Sequence, residues 1–399
     1  MRIGFIVVKN ILRGGGIEKY TYEVGRRLMQ RGHDVVVFSM GHYGEFAAEV
    51  EGMRIVRVPC ARLAIAEKTT ASAIATLRAL AYRPKIDVLH FHSVAAGSFG
   101  VLPRLLGRPT ILQMHGVEWQ RSRWGGFGQR VLHMMERVSL AVHSNCTAVS
   151  RTQCDFYRER YGKEMEYIPT AAELTDSADA TDEIELLGLE PDRYVLFAAR
   201  LVAEKGAHYL IEAFRKLHTD WKLVIAGSAQ GEEEYQESLH TLAAGDPRII
   251  FPGYVEGEAK HQLFSHAGLY VQPSEIEGLS ISLLEAMGYG LGCLASDIPE
   301  NREAMGETGH TFCSKDPDDL RQELKALLKR TTLRLDSGQA ARERVSTFYS
   351  WDRIAAQLES LYAKAAGAEL PIGVAEIPAP GEVPVEVRSE EASPVFAWR

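Results

Sequence analysis

Glu277 and Glu285 stand eight positions apart in the stretch Pro273-Ser274-Glu275-Ile276-Glu277-Gly278-Leu279-Ser280-Ile281-Ser282-Leu283-Leu284-Glu285-Ala286-Met287. If that interval were helical throughout, the two carboxylates would lie ~12 Å apart along the axis. A carboxylate accepts hydrogen bonds from sugar hydroxyls, and the spacing suits a ligand with one sugar at each end. Ordinary helix decoration is the competing explanation, with Glu277 favouring the N-terminal dipole and Glu285 exposed. A second cluster, Arg200 with Lys205 in Ala199-Arg200-Leu201-Val202-Ala203-Glu204-Lys205-Gly206, follows a β-rich run. Arg grips phosphate oxygens bidentately and Lys acts as a point charge, so the two suit a diphosphate; solvated surface cations are the alternative.

A third cluster is Arg13-Gly14-Gly15-Gly16-Ile17-Glu18, between a first strand and a first helix. Glycines there let the backbone approach a ligand, and the helix N-terminus offers unpaired N–H groups to an anion. The dinucleotide fingerprint needs a third glycine at position 19, where Lys19 stands, and the Walker pattern is missing. A turn cluster would explain the glycines equally well. The fourth is Gln113-Met114-His115-Gly116, directly after a strand, where His115 would meet hydroxyls at the strand end. His90 and His92 share one face of a probable strand, and without a third ligand nearby they read as packing rather than a metal pair. Asp316-Pro317-Asp318 resembles a metal-binding DxD, but an N-cap with proline at the first helical position explains it better.

The elements that must hold these residues alternate between strand and helix. Strands are expected at Arg2–Val8, Asp34–Ser39, Arg54–Val58, Asp87–His92, Pro109–Met114 and Cys146–Val149, and again at Tyr194–Ala199, Trp221–Ala226, Arg248–Phe251, Leu269–Gln272 and Gly292–Ser296. Ile17, Tyr20, Thr21, Val24 and Leu28 recur on one face of a helix that ends near Arg31-Gly32. This order implies parallel sheets with right-handed crossovers, hence an α/β chain of two doubly wound domains in tandem. Between 171 and 192 the sequence turns acidic and loses its β-rich runs, which puts the junction there. The expected units are 1–170 joined by a last helix at about 351–366, then 171–350, with a Pro- and Glu-rich tail at 368–399 that composition marks as disordered. Ligands in such sheets bind beyond the carboxyl ends of the strands, so the site falls in the cleft between the halves.

A chain of 399 residues with 46% apolar and 25% charged residues is an ordinary globular mixture for two domains. Five cysteines without a CxxC pair argue against a disulfide framework or zinc site and favour the cytoplasm. No stretch approaches the ~18 apolar residues of a membrane-spanning helix. The net charge of −8 is unevenly spread: residues 1–170 hold 24 Lys/Arg and 14 Asp/Glu, against 21 and 39 in the remainder. Six Arg lie between 104 and 137 against Glu118 and Glu136, interleaved with Trp119, Trp124 and Phe127. Such a surface suits the inner face of an anionic membrane, or equally a solvated face around a buried helix.

Taken together, these motifs resemble the retaining glycosyltransferases of GT-B fold, specifically glycosyltransferase family 4, over nearly the whole chain from Arg2 to about Lys364. The likeness rests on Gly14-Gly15-Gly16-Ile17-Glu18, Gly32-His33-Asp34-Val35, Arg200 with Lys205-Gly206, and Glu277 with Glu285-Ala286-Met287. It departs at Thr170, where the family has Asn, and at Gly292, where it has Pro. The resemblance implies two Rossmann-like domains facing a central cleft, with the last helix crossing back to the first. It implies a nucleotide-sugar donor bound mostly by the second domain and an acceptor, glycan, lipid-linked or small, bound by the first. By the same likeness Arg200 and Lys205 hold the donor diphosphate, helped by N–H groups near Gly278, Leu279 and Ser280. Glu285 takes the ribose, Glu277 the transferred sugar, His115 faces that sugar, and Gly15 and Gly16 approach the phosphate from the opposite domain. No cofactor, metal or nucleic-acid partner is expected, because fixed cations neutralise the leaving group. Two readings compete: a non-catalytic scaffold of the same fold, and a sugar-nucleotide epimerase.

Overall fold

The first strand, Arg2–Val8, is buried from Ile3 to Val8 on both of its faces, which is what a continuous apolar run becomes inside a covered parallel sheet. A computed structural model describes residues 1–12, 15–41, 43, 47–61, 64–120, 125–229 and 231–368. Arg13, Gly14, Trp124 and the tail from 369 onward lie outside the described residues.

The first sheet contains β1 (Arg2–Val8), β2 (Asp34–Met40), β3 (Glu49–Val50), β4 (Met53–Val58), β5 (Val88–His92), β6 (Thr110–Met114), β7 (Asn145–Ala148) and β8 (Glu166–Tyr167). Its spatial order is β3-β4-β2-β1-β5-β6-β7-β8, parallel throughout except for the β3–β4 edge. The second contains β9 (Tyr194–Ala198), β10 (Lys222–Ala226), β11 (Ile249–Gly253), β12 (Leu269–Gln272), β13 (Cys293–Ser296) and β14 (His310–Phe312). Its order is β11-β10-β9-β12-β13-β14, all parallel. The chain is thus α/β with two Rossmann-like sheets of the GT-B type. The three strands that pattern reading misses, β3, β8 and β14, are only two or three residues long, too short to display a period.

Strand order reverses at β1/β5 in the first sheet and at β9/β12 in the second. A doubly wound sheet opens a crevice at such a point, because its flanking crossovers run to opposite sides. In the first sheet the opening is marked by two non-glycine residues in the left-handed region, Val7 (φ 62°) and Ser93 (φ 72°). Conformations of that kind cost about 1–3 kcal/mol and persist where surrounding structure enforces them, commonly at functional sites.

The helix Gly16–Gln30 buries Tyr20, Thr21, Val24 and Leu28 through its apolar stripe. The last helix, Trp351–Ala366, packs on it: Tyr20 and Trp351 meet edge to face at 5.7 Å, and Arg31 and His33 each reach Glu359 at 2.7 Å. His90 Nδ1 and the Tyr362 hydroxyl lie 2.6 Å apart in the same interface. At Gly292 an added Cβ would stand 2.9 Å from the Arg334 carbonyl oxygen, so crowding by the helix Thr331–Phe348 disfavours the proline that the family pattern carries there.

Candidate active site

On the second-domain side, β9 ends at Ala198 and its loop delivers Arg200 and Lys205 before the helix Ala207–Arg215. Gly206 closes that loop at φ 70°, where a Cβ would fall 2.0 Å from the Pro273 carbonyl oxygen; only glycine fits. Lys205 Nζ donates to Glu277 Oε1 at 2.6 Å, and Gln272 Nε2 donates to the same oxygen at 2.8 Å. Gln272 is itself fixed by the Tyr270 hydroxyl at 2.7 Å. Arg200 approaches Glu204 at 3.8 Å. Both switch-point strands of this sheet therefore feed one polar cluster.

The interval from Glu277 to Glu285 is not all helical, which corrects the expected ~12 Å axial spacing. The helix spans Ile281–Gly288, N-capped by the Ser280 hydroxyl, which accepts from Leu283 N. Glu277 precedes it in the loop, where Gly278 and Leu279 also lie. Neither carboxylate is surface decoration, for both residues are 9% exposed. Glu285 accepts from Lys260 Nζ at 2.9 and 3.0 Å and also from Lys19 Nζ of the first domain. Burial would raise the Glu285 carboxyl, but the two ammonium charges prevail and hold it below the usual carboxylate range. Nearby, burial pushes the Glu300 carboxyl up to about 7, and the Glu277 and Glu303 charges add to the shift.

On the first-domain side, Gly15 and Gly16 open the helix Gly16–Gln30 at the carboxyl end of β1. A Cβ on Gly16 would lie 3.9 Å from Ile281 Cδ1, so the N-termini of two helices, one from each domain, face each other across the cleft. Each carries unpaired N–H groups and a partial positive charge. His115 follows β6, and its Nε2 shares a 2.9 Å hydrogen bond with His92 Nδ1. The His115 carbonyl oxygen meets the second domain: a Cβ on Gly278 would sit 2.1 Å from it. Gln153 Nε2 donates to the Gly278 carbonyl at 3.1 Å, and the Glu303 carboxylate accepts from Arg151 N at 2.8 and 3.0 Å. These contacts join the domains around the cleft.

His90 and His92 are fully buried packing residues. Burial drives His90 down to about 3 and His92 well below its ordinary value, so both are neutral. Their bonds go to Tyr362, Thr21 and His115. Asp316 is an N-cap that accepts from Asp318 N and Asp319 N at 3.0 Å each. Among the described residues no group of three His, Cys, Asp or Glu side chains converges to hold a metal ion. No helix among them is long and apolar enough to cross a membrane.

Of the expected site residues, Arg200, Lys205, Gly15, Gly16, His115, Gly278, Leu279 and Ser280 thus lie between a strand end and a helix start, whereas Glu277 stands in the loop before the helix Ile281–Gly288 and Glu285 within that helix. Pattern reading missed Lys19, Lys260, Gln153 and Gln272. The run Gly15-Gly16-Ile17-Glu18-Lys19 offered a signal for the first alone, and its partner Glu285 is 266 positions away.

The chain matches two families: Glycosyltransferase Family 4 over residues 14–176 and Glycosyl transferases group 1 over residues 180–344. It is 26% identical over 389 residues to the phosphatidyl-myo-inositol mannosyltransferase of Mycolicibacterium smegmatis, covering 94% of this chain and 96% of that one. It is 25% identical over 387 residues to the D-inositol 3-phosphate glycosyltransferase of Xylanimonas cellulosilytica, with 88% and 92% coverage. In fold it resembles the sucrose-phosphate synthase of Thermosynechococcus elongatus, with a TM-score of 0.81 at 20% identity over 92% of this chain and all of that one. It also resembles Anabaena HepE solved with UDP-glucose, with a TM-score of 0.77 at 18% identity and 91% and 100% coverage. Two family matches that adjoin and between them cover every strand of both sheets except β1, on a GT-B fold, identify the chain as a member of the group 1, family 4 glycosyltransferases.

Proposed function

We propose that this chain moves a hexose-type sugar from a nucleoside-diphosphate sugar to a glycan, lipid-linked or small-molecule acceptor, with retention at the anomeric carbon and without a metal. The observation that carries the reading is the meeting of two helix N-termini, at Gly16 and Ile281, beside the strand end bearing Arg200 and Lys205. A diphosphate placed there receives N–H groups from Gly15, Gly16, Leu279 and Ser280 and two fixed cations. The leaving group gains negative charge as the bond to the sugar breaks, so these donors act more strongly on the transition state than on the ground state. Glu277 then holds the transferred sugar, Glu285 the ribose, and His115 faces the sugar from the first domain.

Thermal unfolding with UDP, GDP and ADP in parallel tests this. A ligand at a hundred times its dissociation constant adds about 2.7 kcal/mol, a shift of several degrees. One diphosphate is expected to stabilise the natural chain and not the Arg200→Ala/Lys205→Ala chain. If none does, the donor site is not here and the scaffold reading takes its place.

The acceptor side is proposed to rest on an anionic membrane face. The helix Gly126–Val142 carries Phe127, Arg130, Met134, Arg137 and Val138 along one exposed stripe, and Phe127 is 77% exposed. The adjoining helix Val101–Leu105 adds Leu105, 78% exposed, and is tied to the first by Arg104, which donates to the Ala141 and Val142 carbonyls. The acids of this stretch are turned elsewhere: Glu136 is buried against Trp119 and Tyr157, and Glu118 pairs with Lys68. Apolar side chains among arginines fit the headgroup boundary of an anionic bilayer. Sedimentation with phosphatidylglycerol vesicles at low salt is expected to carry the chain down. Phe127→Ser/Leu105→Ser should weaken this by at least about tenfold, because the two truncations withdraw several carbons at ~0.8 kcal/mol per buried CH₂. No sedimentation at low salt would sink the proposal.

A further inference from the structure

The ribose carboxylate of the reading above is engaged by two ammonium groups. Lys260 Nζ bridges both Glu285 oxygens, at 2.9 and 3.0 Å. Lys19 Nζ takes Oε1 as well, from the opposite domain. A carboxylate has about four acceptor positions, and these three contacts occupy most of them. A ribose diol donates two further hydrogen bonds, so one ammonium must give way.

The geometry selects which. Lys260 belongs to the helix Gly257–Ser265 of the same domain as Glu285 and holds it by two contacts. Lys19 makes a single contact across the cleft, from the first turn of the helix whose Gly16 faces Ile281. A small separation of the domains withdraws Lys19 while leaving either domain intact, whereas withdrawing Lys260 disturbs the second domain itself. The two lysine side chains are about equally exposed, 31% for Lys19 and 32% for Lys260, so the choice rests on which domain each belongs to.

We infer that Lys19 is a positioning residue that competes with the donor's ribose for Glu285 through an ion pair between the domains, which a nucleotide with a 2′,3′-diol must displace. The inference rests on the assignment of Glu285 to the ribose. It makes Lys19 a selector: a ligand without the diol leaves the ion pair intact and gains nothing from Glu285.

Calorimetric titration of the full chain with UDP, GDP and ADP, and with the 2′,3′-dideoxy form of whichever binds, tests this. Lys19→Met is expected to tighten the ribose form about fivefold and to leave the dideoxy form unchanged. Lys19→Arg, which keeps the charge, should restore the natural ratio. An unchanged ratio in Lys19→Met overturns the inference, as does weaker binding of the ribose form, which would make Lys19 a holder of the ligand. If the dideoxy form binds the Lys19→Met chain as well as the ribose form does, or no diphosphate binds at all, the ribose assignment fails first and takes this inference with it.

Discussion

Lys205→Ala is expected to lower kcat/KM for sugar transfer by about 10²–10³-fold, with the loss carried by kcat, as when one preorganised donor to a developing anion is removed. Two effects are mixed in that variant. Lys205 meets the departing diphosphate in the proposed mechanism, and it also neutralises Glu277 at 2.6 Å in a place where both side chains are largely buried. Breaking a buried pair on one side leaves an uncompensated charge and costs roughly 3–5 kcal/mol, less where solvent still reaches it. Lys205→Ala/Glu277→Gln separates the two. If stability returns in the double variant while its rate falls well below that of Glu277→Gln alone, Lys205 acts on the leaving group. Arg200→Ala should also lose rate, because its guanidinium is a second cation proposed to meet the departing diphosphate. The natural chain should keep its rate in a chelator. Unchanged turnover in both single variants would refute the mechanism.

Gly278→Ala should cost about 10²-fold in kcat/KM, the penalty expected when reacting groups are displaced by about 1 Å, and weaken nucleotide binding far less, since only the Gly15 and Gly16 contacts are withdrawn from the nucleotide. The new Cβ would lie 2.1 Å from the His115 carbonyl oxygen and 2.8 Å from its carbon. Both are backbone atoms at the end of β6, a strand held in the sheet by β5 and β7. Neither side can yield by rotating a side chain, so the domains must part at this point. Parting them moves His115, Gly15 and Gly16 away from the second-domain cluster but leaves Arg200, Lys205 and Glu285 in place. Steady-state kinetics beside thermal shifts with the binding diphosphate check this. A natural kcat/KM would show that the His115–Gly278 contact is no part of the working enzyme, and loss of the thermal shift would place the damage within the second domain.

Neighbouring residues made much of the chain legible. The apolar runs of β1, β5, β9 and β12 need only burial on both faces to be recognised, and the stripe Tyr20, Thr21, Val24, Leu28 needs only a helical period. Glycines followed by a helix start, and cations after a strand, are likewise local patterns. The fold class and most candidate residues therefore came from sequence, and the family resemblance supplied their roles. The edge strands β3, β8 and β14 did not, because they take their extended shape from a neighbour rather than from any period of their own, whereas the edge strand β11 was long enough to be read.

What the sequence by itself determined is the set of chemical groups and the strand or helix end to which each is attached. The tertiary structure alone decided which of them meet. It placed Glu277 in a loop beside Lys205 rather than one helical interval from Glu285. It also put Lys19 on Glu285 and the carbonyl of His115 against Gly278. These pairs lie 72, 266 and 163 positions apart in the chain. Contacts of that range are set by how two separately folded sheets dock, and docking depends on the summed shape and charge of both surfaces, which no local pattern of residues records.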